Sequence, residues 1–217
     1  MKSKEYFSQY GQDAFLDKSV FKKKTRGFFI DIGANDGITY SNTYFFEKYR
    51  NWKGICIEPH PDAFTKLQSN RNSILIKACI SEIEGKAEFL KIDGYAEMLS
   101  GLQNKYTSDH IERIRREIKI HGGKQETIGV NCRSLEFILK DHKIEENIDY
   151  CSIDTEGGEL EILQSINLEK NPIKIISVEN NYYGGKIREY LKSFNYRLLK
   201  IIGSDEIYQK RRWKYWF

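Results

Sequence analysis

Two acidic residues that follow short apolar segments are the first candidates for chemistry in this 217-residue chain. Asp31 belongs to an apolar run that leads into a turn with glycine at positions 33 and 37, and Glu58 ends a second apolar run. Glycine permits a tight turn and a close approach of the backbone that a side chain would block. A carboxylate at the end of the following strand can accept hydrogen bonds from both hydroxyls of a ribose. The arrangement therefore predicts a site for a nucleotide-type cofactor.

The middle position of this turn indicates which cofactor fits. The dinucleotide-binding pattern has glycine there, because a diphosphate must approach the backbone closely, whereas this chain has Asn35. Asparagine tolerates left-handed backbone angles, but its side chain occupies the space of the diphosphate. S-adenosylmethionine (SAM), which has a ribose diol and a charged methionine end but no phosphate, therefore fits better. We expect Asp31, Gly33 and Asn35 at the methionine end, and Glu58 at the ribose.

A second pair of acids is predicted at the same edge of the sheet. Asp154 follows the apolar-rich strand 148–153, and Glu179 follows the strand 173–178. Acids at the start of a helix often cap it or complement its dipole instead, and that role suits Glu159 better than Asp154. We therefore expect Asp154 and Glu179 to project into the cleft.

Strands that alternate with helices must position these residues, because the apolar pattern changes repeatedly between the two types. The predicted strands are 28–32, 54–57, 74–80, 87–92, 148–153, 173–178, 196–202 and 206–210. The predicted helical segments are 14–21, 41–49, 61–70, 108–120, 160–166 and 186–194. The fourth of these strands alternates like an edge or hairpin strand with one wet face. The order predicts an α/β fold with a mostly parallel, doubly wound sheet.

Composition favours one soluble domain over residues 1–217. The chain has only 3 prolines and no linker-like segment, and no run approaches the roughly 18 apolar residues of a membrane span. The cysteines lie isolated in apolar contexts, which is typical of buried, reduced side chains rather than of disulfides or metal ligands. They are Cys56, Cys79, Cys132 and Cys151. We therefore expect a cytoplasmic protein without a membrane span.

The chain also carries an ordered series of short blocks at 8–13, 27–37, 41–43, 57–59, 100–102, 133–135, 152–159 and 178–179. This series resembles the FkbM family of SAM-dependent methyltransferases. The resemblance implies a class I, Rossmann-like fold with a mostly parallel seven-stranded sheet and helices on both faces. It also implies SAM as the methyl donor and O-methylation of a hydroxyl on a sugar, a glycan or a related natural product. Segment 103–126 matches the family least, so we expect a substrate-side insertion there.

The acids at the cleft suggest how the hydroxyl is activated. Methyl transfer is an in-line displacement, so holding the acceptor oxygen close and aligned supplies much of the catalysis. A buried carboxylate with a raised pKa can take the hydroxyl proton as a general base, with Asp154 as the first choice and Glu179 as the second. Alternatively, Asp154, Glu156 and Glu179 hold a divalent metal ion that lowers the pKa of the acceptor.

Further site residues are predicted from position or from the resemblance. Ser81 follows the third strand and is expected near adenine, and Pro59 accompanies Glu58. Ser41 and Thr43 are expected to cap the helix after the turn, and the resemblance places them near the cofactor. The predicted substrate-binding residues are Glu156, Ser100 and His121.

Two segments are candidate lids. Residues 1–26 form a predicted helical lid in which Gln9 and Gln12 fold over the cleft, with simple packing of aromatic residues as the alternative. The second candidate is the amphipathic helix 108–120, where cations would suit a phosphorylated or nucleotide-linked sugar and a solvated helix face is the alternative. The cations are Arg113, Arg115, Arg116 and Lys119. His110 and His121 flank them, and we expect both at the surface, with a role as base on a closed lid as the alternative.

Other functions stay open at this point. The tail 210–217 mixes cations with aromatic residues and would suit single-stranded nucleic acid, a membrane surface or a homodimer contact. We consider nucleic acid the less favoured partner and a sugar or glycan the favoured one. An RNA ribose methyltransferase would need a lysine among the acids of the cleft, and none borders the strand ends named above. A noncatalytic SAM-binding protein would not need Asp154 and Glu179 together.

Overall fold

The computed structural model describes residues 5–82, 84–144, 146–181 and 184–211. The first four residues of the predicted N-terminal lid and the predicted tail from residue 212 onward lie outside these ranges. The strands are β1 (Phe28–Ile32), β2 (Lys53–Ile57), β3 (Ile74–Ile76), β4 (Cys79–Ile80), β5 (Gly85–Asp93), β6 (Gly101–Leu102), β7 (Lys124–Arg133), β8 (Tyr150–Ile153), β9 (Ile175–Glu179), β10 (Tyr196–Ile202) and β11 (Asp205–Lys210).

Seven α-helices accompany these strands in the described part of the chain. They are α1 (Gln12–Phe15), which continues as a π-helical segment (Leu16–Val20), α2 (Tyr44–Arg50), α3 (Pro61–Asn70), α4 (Ser108–His121), α5 (Leu135–Asp141), α6 (Glu159–Ser165) and α7 (Lys186–Ser193). None of the helices in the described ranges is both long and apolar enough to cross a bilayer.

A seven-stranded sheet in the order β10-β11-β9-β8-β1-β2-β3 forms the centre of the described fold. β9, β8, β1, β2 and β3 run parallel, and β11 joins them antiparallel to β9. All five residues of β1 are buried, as a continuous apolar run on a central parallel strand requires. The predicted mostly parallel α/β sheet is confirmed.

Helices cover both faces of this sheet. Apolar residues of α5, α6 and α7 pack with the strands in one core cluster, which includes Leu139, Leu163 and Leu191. Residues of α2 and α3 pack in a second cluster, which includes Phe46 and Leu67. The expected helices on both faces are therefore confirmed.

A second, four-stranded sheet in the order β4-β7-β5-β6 was not expected from the sequence. The predicted strand 74–80 is wrong in its second half: β3 ends at Ile76, and β4 pairs instead with β7. The predicted edge strand 87–92 lies inside the second sheet, between β7 and β6. The predicted wet face of β5 is wrong, because Phe89 and Ile92 lie on opposite faces of the strand and are both buried.

The N-terminal segment packs against α2 through aromatic and charged residues. The rings of Tyr6 and Phe45 lie 4.4 Å apart between centroids. The buried carboxylate of Asp17 accepts hydrogen bonds from both Nε and Nη2 of Arg50, at 2.5 and 2.6 Å. The Tyr6 hydroxyl also donates to Asp17, at 2.9 Å. This ion pair joins the start of the chain to the sheet-covering helix.

We expect Asp17→Ala to lower the free energy of unfolding by about 3–5 kcal/mol, because it leaves the Arg50 guanidinium buried without its partner. Urea denaturation at pH 7 measures the change. Arg116 pairs with Glu117 at the surface of α4, so Arg116→Ala is the control and should cost less than about 1 kcal/mol. Equal losses in the two variants would contradict the assigned role of the buried pair.

Candidate active site

A cleft of about 800 Å³ lies at the carboxyl ends of the central strands, large enough for a cofactor and a small acceptor. Its wall includes Gly33 after β1, Glu58 after β2, Asp154 after β8 and Glu179 at the end of β9. Open α/β sheets bind ligands at this edge, because parallel strands end at a common level there.

The turn after β1 fits tightly against the strand beside it. Gly33 has a left-handed φ of 86°, and a Cβ at this position would lie 1.7 Å from the carbonyl oxygen of Asp154. The N–H groups of Gly33 and Ala34 donate to the carbonyl of Ile57. Asn35 also has a left-handed φ, of 49°. Glycine is therefore required at position 33 for two reasons, its backbone angle and its lack of a side chain.

Glu58 is a buried carboxylate that is held by backbone donors. Its Oε2 accepts a hydrogen bond from the N–H of Asn35, and its Oε1 accepts one from the N–H of His60, both at 2.8 Å. Burial raises the pKa of Glu58 to about 7, although these two hydrogen bonds act in the opposite direction. Each oxygen keeps acceptor capacity for a ligand hydroxyl.

Asp31 lies beside the cleft but is not among its wall residues in the described chain. Its carboxylate accepts a hydrogen bond from the Thr43 hydroxyl at 2.5 Å and lies 3.7 Å from Nη1 of Arg71. Burial raises the pKa of Asp31, and the charge of Arg71 opposes that shift. Ser41 and Thr43 are likewise absent from the described wall. Ser41 Oγ accepts from the N–H of Tyr44 at the start of α2, as expected of a cap. The capping prediction is wrong for Thr43, which occupies the N-cap position but makes no side-chain cap hydrogen bond. Direct contacts of Asp31, Ser41 and Thr43 with a cofactor stay predictions.

Several carboxylates share the part of the cleft beyond the turn. Burial raises the pKa of Asp154, and the nearby carboxylates of Glu179 and Glu156 raise it further. Burial also raises the pKa of Glu179, and it raises the pKa of Glu156 to about 8. These acids are close together, so repulsion between their charges favours the protonated form of one of them.

Sequence reasoning missed Asp205, a further buried carboxylate in this wall. It pairs in register with Glu179 across β11 and β9 and accepts hydrogen bonds from Gln12 and Asn42. The predicted strand began at residue 206, one residue too late. An acid at the start of an antiparallel strand reaches the same edge as an acid at the end of a parallel one, and that rule would have found it.

The three acids proposed as metal ligands do not form a compact cation site. The ligand oxygens of Asp154, Glu156 and Glu179 do not all lie within 4.8 Å of one another. A metal ion at these residues would therefore require the side chains to move, and the metal stays a prediction.

A different trio in the described chain, His60, Asp62 and Asp93, has ligand atoms within 4.8 Å of one another. His60 Nδ1 already accepts from the N–H groups that begin α3, and its Nε2 faces the carbonyl of Ile92. Lys91 Nζ lies within 3.1 Å of the carboxylates of Asp62 and Asp93. The lysine supplies the positive charge, so this trio is not a candidate metal site.

Part of the cleft wall is apolar, as an adenine ring would need. Pro59 and Ser81, both predicted at the cofactor, line the cleft here. The wall of the same cleft also includes the apolar residues Ala78, Ile80, Phe89 and Leu99.

Two predicted substrate residues have structural contacts in this region. Ser100 lines the cleft, and its hydroxyl donates to the carbonyl of Glu97 and accepts from the N–H of Ile92. His121 is not among the described wall residues, but its ring packs on Tyr95, which is one of them, at 3.9 Å between centroids. Substrate contacts of Ser100, His121 and Glu156 stay predictions.

The helix α4 closes the cleft on one side. Arg113 Nη1 lies 3.3 Å from a carboxylate oxygen of Glu156, and Lys105 Nζ lies 3.3 Å from Glu161. Lys105 is a cleft lysine that sequence reasoning missed. His110 was expected at the surface, and that expectation is wrong: it is buried, and its Nε2 lies 3.3 Å from the carbonyl of Leu99.

The chain is similar to known methyltransferases in sequence and in fold. A family model described as the methyltransferase FkbM domain matches residues 31–198. A crystal structure of methyltransferase FkbM from Methylobacillus flagellatus KT shares 12% identity with this chain and gives a TM-score of 0.52. The alignment covers 86% of this chain and 44% of that one, so the present chain spans less than half of that protein. This likeness supports the class I methyltransferase fold.

Other solved structures align with TM-scores below 0.5. The N-terminal domain of human METTL16 aligns with 13% identity and a TM-score of 0.42, over 91% of this chain and 65% of that one. The same domain in complex with SAH aligns with 14% identity and a TM-score of 0.42, over 93% and 68%. No match was found among curated proteins.

We expect Gly33→Ala to lower the free energy of unfolding by at least about 2 kcal/mol, because the new Cβ meets the Asp154 carbonyl and the left-handed backbone is strained. Chemical denaturation measures the loss. Gly129→Ala is the matched control, since Gly129 has no atom within 4 Å of an added Cβ and lies in a strand, where alanine is tolerated. A Gly33 variant as stable as the control would rule out the tight contact.

Proposed function

The chain belongs to the FkbM methyltransferase family, and on this basis we propose that it is a SAM-dependent O-methyltransferase acting on a hydroxyl of a sugar, a glycan or a related natural product. One observation carries the proposal. A single cleft contains the buried carboxylate of Glu58 beside the Gly33 turn and, across that turn, the acids Asp154 and Glu179 with raised pKa values. The ribose diol of a methyl donor can bind Glu58, and the hydroxyl of an acceptor can lie next to Asp154 and Glu179.

The residues present fit SAM. Glu58 has free acceptor capacity for the ribose hydroxyls, and the apolar part of the cleft wall suits adenine. The turn at Gly33 and Asn35 faces the cleft where the methionine end would lie. When bound, SAM supplies a methyl group on a positively charged sulfur.

This chain's acids would then receive the acceptor proton. A carboxylate whose pKa is raised by burial is basic enough to accept a proton from a hydroxyl as the methyl transfers. Asp154 is the first candidate, because burial and two neighbouring acids all raise its pKa, and Glu179 is the second. A divalent ion held by Asp154, Glu156 and Glu179 is the alternative route to the same activation, although these side chains would have to move to bind one.

The acids of the cleft also bear on the alternative functions. Nucleic acid binding draws its affinity from cations that contact phosphates. The two cleft cations described above, Lys105 and Arg113, are both close to carboxylates. An RNA substrate is therefore less favoured than an uncharged acceptor. A single domain, a cytoplasmic location and a homodimer stay predictions from the sequence.

We expect S-adenosylhomocysteine (SAH) to bind with an affinity that rises about tenfold from pH 6 to pH 8. Glu58 has a pKa of about 7 in the free protein, and its ionised form is the better acceptor for the ribose hydroxyls. Calorimetric titration at several pH values measures this. Glu58→Ala should weaken binding about 10- to 100-fold and remove most of the pH dependence over this range.

Glu161→Ala is the control for that titration, because Glu161 lines the cleft near Lys105 and away from the turn. It should keep the pH dependence. Absence of SAH binding by the wild-type protein, or a pH profile unchanged in Glu58→Ala, would overturn the proposed cofactor site.

We expect Asp154→Asn to reduce kcat about 10²- to 10⁴-fold while SAH affinity changes little, because the variant removes the proton acceptor and leaves the Glu58 side of the cleft intact. The assay follows conversion of SAM to SAH with a panel of nucleotide sugars and glycans. Glu179→Gln is tested in parallel, and exhaustive chelation tests the metal route. Full turnover by Asp154→Asn would exclude it as the base, and turnover that survives chelation would exclude the metal.

A further inference from the structure

One wall of the cleft combines exposed aromatic rings with polar groups. We call it the outer wall. Its residues, all of them lining the cleft, are Gln9, Tyr10, Gln12, Tyr40, Asn42, Asn181, Ser204 and Asp205. It adjoins Glu179, because Ser204 Oγ donates to the Glu179 carboxylate at 3.3 Å and Asp205 faces Glu179 in register. The outer wall therefore lies beside a candidate base.

Tyr10 presents an aromatic plate at this wall. Its ring packs against Gly203 in the turn between β10 and β11, where an added Cβ would lie 2.2 Å from a ring carbon. Its backbone N–H donates to Gln12 Oε1 at 2.9 Å. The residue is nevertheless 55% exposed. One part of the ring is thus supported by backbone, and the rest is open to the cleft.

Tyr40 is a second exposed ring on the same wall. It is 51% exposed and has a left-handed φ of 56°, which is rare for a bulky side chain. Its backbone pairs with that of Ser8 in an isolated parallel bridge. The same N-terminal segment therefore positions both rings.

Polar groups next to the rings are held in a fixed network. The carboxylate of Asp205 accepts hydrogen bonds from Gln12 Nε2 at 3.1 Å and from Asn42 Nδ2 at 3.3 Å. Asn42 Nδ2 also donates to Ser152 Oγ, so the amide orientation is set by two acceptors. In the described chain, Asn42 Oδ1 is a buried side-chain oxygen without a hydrogen-bond partner. An unsatisfied buried acceptor is unfavourable, and a ligand hydroxyl would satisfy it after a small shift of the side chains that cover it.

The charges of the cleft restrict the kind of ligand. None of the described outer-wall residues is Lys or Arg, and Asp205 and the adjoining Glu179 are acidic. A phosphate would be repelled here, whereas a neutral ligand with several hydroxyl donors and an apolar face fits the acceptors and the rings. A sugar ring has both features, since its C–H groups form apolar faces and its hydroxyls are donors.

We propose that the outer wall is the acceptor subsite and binds the neutral ring of a sugar, which stacks on Tyr10 and Tyr40 while its hydroxyls donate to Asp205 and Asn42. This inference rests on the proposed function and specifies where the acceptor binds and in which chemical form. It places the ring next to Glu179.

NMR titration of the SAH-saturated protein with the methyl glycosides of glucose, galactose, mannose and rhamnose tests the subsite. At least one glycoside should bind, and Tyr10→Ala and Tyr40→Gly should each weaken that binding about three- to tenfold. Glycine accepts the backbone angle of Tyr40, so this variant removes the ring without adding strain. Phe137→Ala, which removes an exposed ring on α5 outside the cleft wall, is the control and should not change the affinity.

The outcomes separate this inference from the proposed function. SAH binding without binding of any glycoside, or glycoside binding unchanged in both tyrosine variants, would overturn the subsite and leave the cofactor assignment intact. Failure of the wild-type protein to bind SAH would instead overturn the proposed function. Thermal melting and SAH affinity of each variant confirm that it is folded.

Discussion

The turn after β1 packs against the backbone of Asp154 so closely that no side chain fits between them, and the arrangement of the cleft depends on that contact. The contact exists because β1 lies between β2 and β8 in parallel register, so the three strands end at a common level. Glu58 follows one neighbour and Asp154 the other. A larger residue at position 33 would move Glu58 and Asp154 apart. It would thereby increase the distance between the cofactor side of the cleft and its acidic side.

Burial of several carboxylates at one sheet edge is unfavourable, and the fold compensates for it unequally. Asp31 receives a hydrogen bond from Thr43 and lies near the charge of Arg71. Glu58 receives two backbone N–H groups instead of a cation. Asp154 has acidic neighbours, which raise its pKa further. The compensation is thus greatest at Asp31 and least at Asp154, where proton transfer is proposed. A general base requires this distribution, because a carboxylate with little compensation keeps a raised pKa.

The sequence predicted those parts of the fold whose signals are local. The helix 61–70 was placed correctly, and Pro61 occupies its first turn, where proline is favoured. The second sheet was missed, because β7 begins with exposed polar residues and pairs with β5 across the whole of α4. Such long-range pairing leaves little trace in a local pattern. The same reason explains which site residues were predicted. The ends of parallel strands placed Glu58 and Asp154 in the cleft, whereas the position of Asp205 depends on an antiparallel pairing between β9 and β11.

The N-terminal segment packs on a helix that covers the sheet and also lines the cleft. Tyr6 packs on α2 and Asp17 binds Arg50, while Gln12 of the same segment donates to Asp205 in the cleft. A segment anchored by a buried ion pair and by aromatic contacts holds its cleft residues in place before any ligand arrives. Preorganised side chains bind a ligand without the entropy cost of ordering them first. The contacts that stabilise the start of the chain therefore also set the geometry of the proposed acceptor side. A substitution at Asp17 is expected to alter the position of Gln12 and its hydrogen bond to Asp205.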